Sequence, residues 1–120
     1  MIRIISDVGK NRILLELAGT PTSEDLAHAS RELVLALPRL RPPIDVMSDV
    51  SQLDSLDGVS PAEFERLGLM IQAVGVRREV RVVGRSKDGA LHMQRMTRMF
   101  RHSAHLAFSR EEAENVLALR

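Results

Sequence analysis

The stretch from Ile44 to Leu69, IDVMSDVSQLDSLDGVSPAEFERLGL, decides the fold of this chain. Ile44, Val46 and Met47 lead into Val50 in a β-branched, partly alternating pattern, which predicts a strand buried on at least one face. A polar loop rich in aspartate follows. Ser60 is then a candidate N-cap, Pro61 suits the first helical position, and Glu63 completes a capping box. The stretch therefore predicts a strand, a loop and a helix in succession, and α/β folds usually place their sites in such loops.

Apolar periodicity predicts further strands and helices on both sides of this stretch. Residues 2–6 and 12–18 are β-prone runs joined by a Gly-containing loop, which is typical of a hairpin. First-turn acids and an apolar stripe predict a helix that follows Thr20 and ends at Pro38. Later patterns predict a helix capped by Gly75, a strand at 80–83, a helix at 88–100, a strand at 105–108 and a last helix opened by the capping box Ser109 to Glu112.

The order ββαβαβαβα predicts an α/β fold. We expect one mixed sheet of four to five strands with about four helices, forming a single domain over residues 1–120. The first hairpin is expected to be antiparallel, and the later strand-helix-strand units parallel. Phe64 is expected to anchor the central helix on the sheet, and the last helix is expected to dock through Ala113, Val116, Leu117 and Leu119.

Composition excludes several classes of site. The chain has no Cys, Trp or Tyr, so disulfides, thiolate metal sites and nucleophilic cysteines are absent, and base stacking has few aromatic groups to use. No apolar run approaches the roughly 20 residues of a membrane span, and no signal peptide is visible, so we expect a cytoplasmic location and no transmembrane segment. Acidic residues predominate in residues 1–76 and basic residues in 77–120.

The central stretch resembles the signature of the STAS family, the anti-sigma-factor-antagonist fold. That signature has an aspartate, an apolar residue and a serine, then a loop ending in Asp-Ser-Ser-Gly before a helix. Here Asp49-Val50-Ser51 and Leu56-Asp57-Gly58 stand at the matching places. The resemblance implies a regulatory domain with a protein partner. Gly58 and Val59 occupy the places of the serine pair that phosphorylatable members carry, so the phosphoserine switch is expected to be absent.

The carboxyl half is similar to the SpoIIAA-like branch of that family. Members of this branch tend to end with an apolar strand, a helix, a strand finishing in Phe, and a helix opening with acidic residues. Residues 80–83 and the run from Ala107 to Ala113 follow that order. The resemblance therefore implies a STAS/SpoIIAA-like fold across most of the chain.

The aspartate-rich loop is the candidate interaction surface. Its members are Asp49, Ser51, Asp54, Ser55, Asp57, Gly58 and Ser60. The crowding of aspartates, which includes Asp45, leaves a divalent-metal site as an alternative to turn formation, but the spacing of a calcium loop is missing. We therefore predict no metal site and no cofactor.

The segment 88–100 offers a second candidate surface. Arg95, Arg98 and Arg101 are expected to face outward as a patch for anions, or simply as a solvated face. Met93, Met96, Met99 and Phe100 are expected on the opposite side, where they either form core or line an apolar pocket.

A non-enzymatic regulatory or protein-interaction domain is the first functional hypothesis. The sequence has no nucleophile elbow, phosphate loop or dinucleotide fingerprint, and no recognised nucleic-acid motif. The expected partner is a protein, by resemblance a signalling component, and a homodimer is left open. The alternative is a carrier or sensor of a small apolar or anionic, lipid-like ligand held between the Met-bearing helix and the sheet.

Overall fold

Five strands and three α-helices make up the part of the chain that the structure, a computed structural model, describes, which is residues 1–83 and 104–119. In chain order the elements are β1 Ile2–Asp7, β2 Arg12–Gly19, α1 Ser23–Ala36, a 3-10 turn Leu37–Arg39, β3 Ile44–Leu53, α2 Pro61–Val74, β4 Val76–Val82, β5 His105–Ala107 and α3 Arg110–Leu117. The predicted α/β class is confirmed. The helix predicted at 88–100 lies outside the described residues.

The five strands form one mixed sheet in the order β1-β2-β3-β4-β5. β1 and β2 pair antiparallel through the predicted hairpin, in which Asn11 adopts a φ of 54°, a conformation that Asn tolerates better than most residues. The pairs β2/β3, β3/β4 and β4/β5 are parallel. The loops after β3 and β5 therefore leave the same edge of the sheet, the carboxyl edge of the parallel strands.

The larger core lies on one face of the sheet. Because successive strand residues point to opposite faces, Ile13, Leu15 and Leu17 all reach the side that α1 and α2 cover. The helices contribute Leu26 and Leu33 from α1 and, from α2, the predicted anchor Phe64 with its neighbours Leu67 and Ile71. Each fully buried side chain of this size stabilises the fold by roughly 1.5–3 kcal/mol.

A smaller core lies on the opposite face, under α3. It consists of Met47, Val80, Val82, Ala107, Ala113 and Leu117. The short α3 is also fastened at its carboxyl end, where Arg77 donates to the carbonyl of Leu117 (2.9 Å) and Arg78 to that of Val116 (2.8 Å). Cationic donors at these carbonyls satisfy groups that an α-helix leaves unpaired and complement its dipole.

Several element predictions need correction. β4 begins at Val76 rather than Val80. β5 ends at Ala107, so Phe108 is outside the strand and 79% exposed. Leu119 was expected to dock with α3 but is 60% exposed, because the helix ends at Leu117. Within the described ranges, no helix is long and apolar enough to cross a bilayer.

Candidate functional site

The structure divides the predicted interaction loop into two parts. Asp49 and Ser51 lie within β3, which continues to Leu53. Residues 54–60 form the loop that joins β3 to α2. The sequence had suggested that the seven candidate residues form one continuous loop surface. The structure shows that they do not.

Asp49 points into a network of charges on the face of the sheet that carries α3. Its Oδ2 accepts a hydrogen bond of 2.6 Å from Nε of Arg110, in the first turn of α3. The same guanidinium donates through its NH2 to Oε2 of Glu16 on β2, also at 2.6 Å. Arg3 on β1 donates to Oε1 of Glu16 through Nε at 2.9 Å and through its NH2 group. Arg110 thus links the last helix to two strands, and Glu16 extends the link to a third.

Ser51 completes the shell around Asp49. Its backbone N–H and its hydroxyl both donate to Oδ1 of Asp49, at 2.9 Å and 2.6 Å. Burial raises the pKa of the Asp49 carboxyl, but the hydrogen bonds from Ser51 and Arg110 outweigh it and leave this pKa below its ordinary value. The same holds for Glu16. Burial raises the pKa of its carboxyl, but the hydrogen bonds from Arg3 and Arg110 lower this pKa by more, so that it lies below its ordinary value. Both groups are therefore charged at neutral pH.

Residues 54–60 form a loop that is held at its start by backbone hydrogen bonds and further along by two buried side chains. The backbone N–H groups of Asp54 and Ser55 donate to the carbonyl of Gly19 at the end of β2, at 2.8 Å and 3.3 Å. The hydroxyl of Ser55 accepts from the N–H of Asp57 at 3.1 Å, as in a serine turn. Leu56 and Val59 are buried in the larger core. The loop is consequently fixed by two apolar anchors, while Asp54 and Asp57 are exposed.

Gly58 lies against the turn that precedes α1. A Cβ added at this position would lie 2.7 Å from the carbonyl oxygen of Pro21, a backbone atom in a buried residue. Any side chain here therefore requires the loop or the turn to move. A serine at this position, the place of a phosphorylatable serine in the signature, does not fit this loop as built.

The start of α2 corrects another expectation. Ser60 is the residue before the helix and Pro61 its first residue, as predicted, but the side chain of Ser60 makes no capping hydrogen bond. Its φ of −64° and ψ of 129° place Ser60 in extended backbone. The capping box predicted between Ser60 and Glu63 is therefore wrong. The boxes that do form are at Thr22 with Asp25, and in part at Ser109, whose hydroxyl accepts from the N–H of Glu112.

The four aspartates that raised the metal alternative are separated in the structure. Asp45 is paired with Arg77, whose Nε and NH2 donate to its two carboxylate oxygens at 2.9 Å and 2.7 Å. Asp49 is held by Arg110, and only Asp54 and Asp57 belong to the exposed loop. Among residues 1–83 and 104–119, no group of three or more His, Asp or Glu side chains is placed to hold a metal ion.

Sequence reasoning missed the ion pairs of two arginines. Arg77 and Arg110 each neutralise a buried aspartate far away along the chain, and periodicity carries no signal of such pairing. Arg110 did offer a hint, because a cation in the first turn of a helix opposes the helix dipole unless acids compensate it. The candidate anion patch of Arg95, Arg98 and Arg101 lies outside the described residues, as does the Met-bearing segment.

Comparison with known proteins supports the fold. No protein-family model matches the sequence, and no curated protein matches it. Among solved structures, the chain is similar to the anti-sigma factor antagonist SpoIIAA in its unphosphorylated form, with a TM-score of 0.63 over 99% of this chain and 100% of that one. The chain has a SpoIIAA-like fold. At 12% identity the likeness concerns the fold, which is also the STAS fold inferred from Asp49-Val50-Ser51 and Leu56-Asp57-Gly58.

Two depressions in the SpoIIAA-like fold bear on the ligand-carrier alternative. A groove of about 330 Å³ runs between α1 and α2 and is open to solvent; Leu26 and Met70 lie in it. A second one, of about 140 Å³, lies beside α3 and is lined by Ile5, Leu14, Met47 and charged groups. Neither encloses an apolar volume of the size that drug-sized ligands occupy. The pocket that the alternative requires involves the segment 88–100, so that alternative stays a prediction.

Proposed function

We propose that this chain is a non-enzymatic, cytoplasmic regulatory domain that binds a protein partner through the loop of residues 54–60 and the first turn of α2. The observation that carries the proposal is the construction of this loop. It is fixed by Leu56, Val59 and the contact of Gly58 with Pro21, and it holds Asp54 and Asp57 exposed at the carboxyl edge of the sheet.

A fixed, charged loop is suited to recognising another protein. Because the loop is already ordered, binding does not have to pay for ordering it, and exposed carboxylates favour a partner with complementary basic groups. The SpoIIAA-like fold supports the proposal by analogy, since the similar structure is that of an anti-sigma factor antagonist.

The proposed surface differs from the STAS signature in having no phosphoserine switch. Gly58 and Val59 carry no hydroxyl, Val59 is buried, and Gly58 has no room for a side chain. Ser55 and Ser60 are the nearby hydroxyls, and both are half-buried. Stoichiometric phosphate on either, found by intact-mass and peptide analysis of protein purified from its host, would restore the switch and overturn this part of the proposal.

The binding surface is tested with a charge-reversal pair. The immobilised chain is used to capture proteins from its host, and the captured protein is then purified and titrated against variants by calorimetry. We expect Asp54→Lys to weaken binding at least tenfold. Glu32→Lys on α1 makes the same charge change away from the loop, and its dissociation constant is expected to stay within about twofold of the parent value, because binding energy is concentrated in a few residues of the interface.

Two results contradict the proposal. One is equal weakening by Asp54→Lys and Glu32→Lys, which would show a general charge effect without a local surface. The other is full affinity in Asp54→Lys, which would place the partner elsewhere on the molecule. Both variants must melt like the parent chain, so that a loss of binding is not a loss of fold.

A further inference from the structure

The edge strand β1 has one side without hydrogen-bond partners among the described residues. Met1 and Ala18 exchange two backbone hydrogen bonds, at 2.8 Å and 2.9 Å, so they are a hydrogen-bonded pair of the antiparallel ladder. Such pairs alternate, so Arg3 and Ile5 also direct their N–H and C=O groups toward β2. The corresponding groups of Ile4 and Ser6 consequently point away from the sheet.

The outer side of β1 lacks several of the usual protections of an edge strand, and the two charged residues of the strand, Arg3 and Asp7, are of opposite sign. The strand has six residues, IRIISD, with no proline, no lysine and no register shift against β2. The opposite edge differs, because β5 has only three residues. Short strands are one of the ways in which proteins keep edges from pairing. β1 is therefore the edge at which the sheet is open to extension.

We propose that a second copy of this chain pairs with β1, strand against strand and antiparallel, to make a continuous ten-stranded sheet around a two-fold axis at Ile5. A two-fold axis is the symmetry by which one surface binds itself. This inference does not depend on the protein partner proposed for the loop, because β1 and residues 54–60 lie at different places on the sheet.

Charge complementarity selects the register. With the axis at Ile5, Ile4 of each copy is hydrogen-bonded with Ser6 of the other, which adds four backbone hydrogen bonds. Arg3 then faces Asp7 of the second copy, twice by symmetry. An axis at Ile4 would place Arg3 against Ile5, and an axis at Arg3 would place two arginines together. The register around Ile5 is thus the one that pairs the opposite charges of the strand.

Apolar contact at the axis supports the same register. Ile5 is 39% exposed and lies on the face of the sheet that α3 covers only in part, beside Leu14 and Met47 in the depression of about 140 Å³. Opposite residues outside the hydrogen-bonded pairs approach most closely, with Cα atoms about 4.5 Å apart, so the two Ile5 side chains cover each other. The net charge of +1 leaves little long-range repulsion between copies.

Sedimentation equilibrium of the whole chain between about 10 µM and 1 mM tests the proposal, since a small interface is expected to be weak. The weight-average mass should rise from the 13.4 kDa of one chain toward twice that value. Ile5→Arg places two arginines at the axis and should raise the dissociation constant at least tenfold. Val34→Arg makes a similar change at an exposed residue of α1 and should leave the dissociation constant within about twofold.

A second variant keeps the test decisive if Ile5→Arg fails to fold. Ser6→Pro removes an N–H that points outward and that β2 does not use, so circular dichroism should stay that of the parent while the dimer disappears. A constant mass of one chain up to 1 mM overturns the proposal. A dimer that survives Ser6→Pro, or that Val34→Arg weakens as much as Ile5→Arg, also overturns it. None of these results bears on binding of a partner at Asp54.

Discussion

Gly58 lies where the loop after β3 touches the turn before α1. A Cβ added at Gly58 would lie 2.7 Å from the carbonyl oxygen of Pro21, so even the smallest side chain overlaps a backbone atom. The position is therefore constrained by packing. The absence of a side chain allows the close contact between the loop and the turn.

Replacing Gly58 by Ala tests this constraint. We expect the free energy of unfolding to fall by about 1 to 3 kcal/mol, the usual cost of overpacking. Gly68→Ala in α2 is the matched control, because an added Cβ there meets nothing within 4 Å. That variant should gain about 0.5 to 1 kcal/mol, since Ala favours a helix more than Gly. Denaturant melts followed by circular dichroism measure both, and equal shifts of the same sign would contradict the packing argument.

Residue roles that depend on neighbours in sequence were predictable, whereas those that depend on distant partners were not. Pro61 at the start of α2 and Phe64 in its buried face follow from local rules. The roles of Arg77 and Arg110 do not, because their aspartates lie 32 and 61 residues away. Asp49 is the clearest case, because it was assigned to the candidate interaction surface, whereas its side chain is bound by Arg110.

At the scale of elements, the two helices that begin after a serine are stabilised differently. α3 is capped by the hydroxyl of Ser109, which accepts from the N–H of Glu112 at 3.1 Å. α2 begins after Ser60 without a side-chain cap and relies on Pro61 and on the burial of Phe64, Leu67 and Ile71.

This difference predicts unequal effects of the same substitution. Ser109→Ala should lower the free energy of unfolding by about 1 kcal/mol, because it leaves a first-turn N–H without its acceptor. Ser60→Ala should change it by less than about 0.5 kcal/mol. Phe64→Ala should cost about 3 to 5 kcal/mol and serves as the reference for loss of anchoring. Urea titrations distinguish these values, and a loss at Ser60 equal to that at Ser109 would show that the Ser60 hydroxyl does cap α2.

The bounds of the elements were predictable where apolar periodicity is strong. The hairpin, α1 and α2 have such patterns, and the structure confirms them, whereas β3 continues to Leu53, beyond the predicted end at Val50. The start of β4 was missed because its residues read VRRE, without apolar alternation. Arg77 and Arg78 are strand residues whose charges are accommodated by Asp45 and by the carbonyl groups at the end of α3. Local sequence contains no sign of those acceptors.

At the scale of the whole molecule, charged groups give the stability two opposite dependences on pH. Glu16 and Asp49 have lowered pKa values, as described above, and so does Glu114, through its hydrogen bond from Arg12. A carboxyl of this kind stabilises the fold at pH values above its pKa in the unfolded chain. It loses that contribution as the pH falls through its pKa in the folded protein.

Glu79 is the reverse case, because burial raises its pKa to about 7 despite the nearby charge of Arg81. It binds a proton more tightly when folded, so stability falls as the pH rises from about 4.5 to about 7.

The free energy of unfolding should therefore be greatest near pH 5 and decline on both sides. Glu79→Gln should remove the decline toward neutral pH, leaving stability constant within about 0.5 kcal/mol between pH 5 and 7. Arg110→Gln should instead reduce the decline in the free energy of unfolding at acid pH, because Asp49 and Glu16 lose a donor that keeps their pKa values low. Urea titrations over about pH 3 to 8 separate the two effects. If Glu79→Gln leaves the decline in the free energy of unfolding between pH 5 and 7 unchanged, another group causes that decline.

Because the strands lie in the sheet in the order in which they occur in the chain, each one joins an edge that is already present when it leaves the ribosome. Among the five described strands, none has to be inserted between two earlier ones. The core under α3 is the exception. Among the described residues, the helix side chains that pack on Met47, Val80 and Val82 are Ala113 and Leu117, which are synthesised last. Until α3 has been synthesised it leaves these strand residues uncovered, and apolar surface exposed in this way during translation favours aggregation and capture by chaperones.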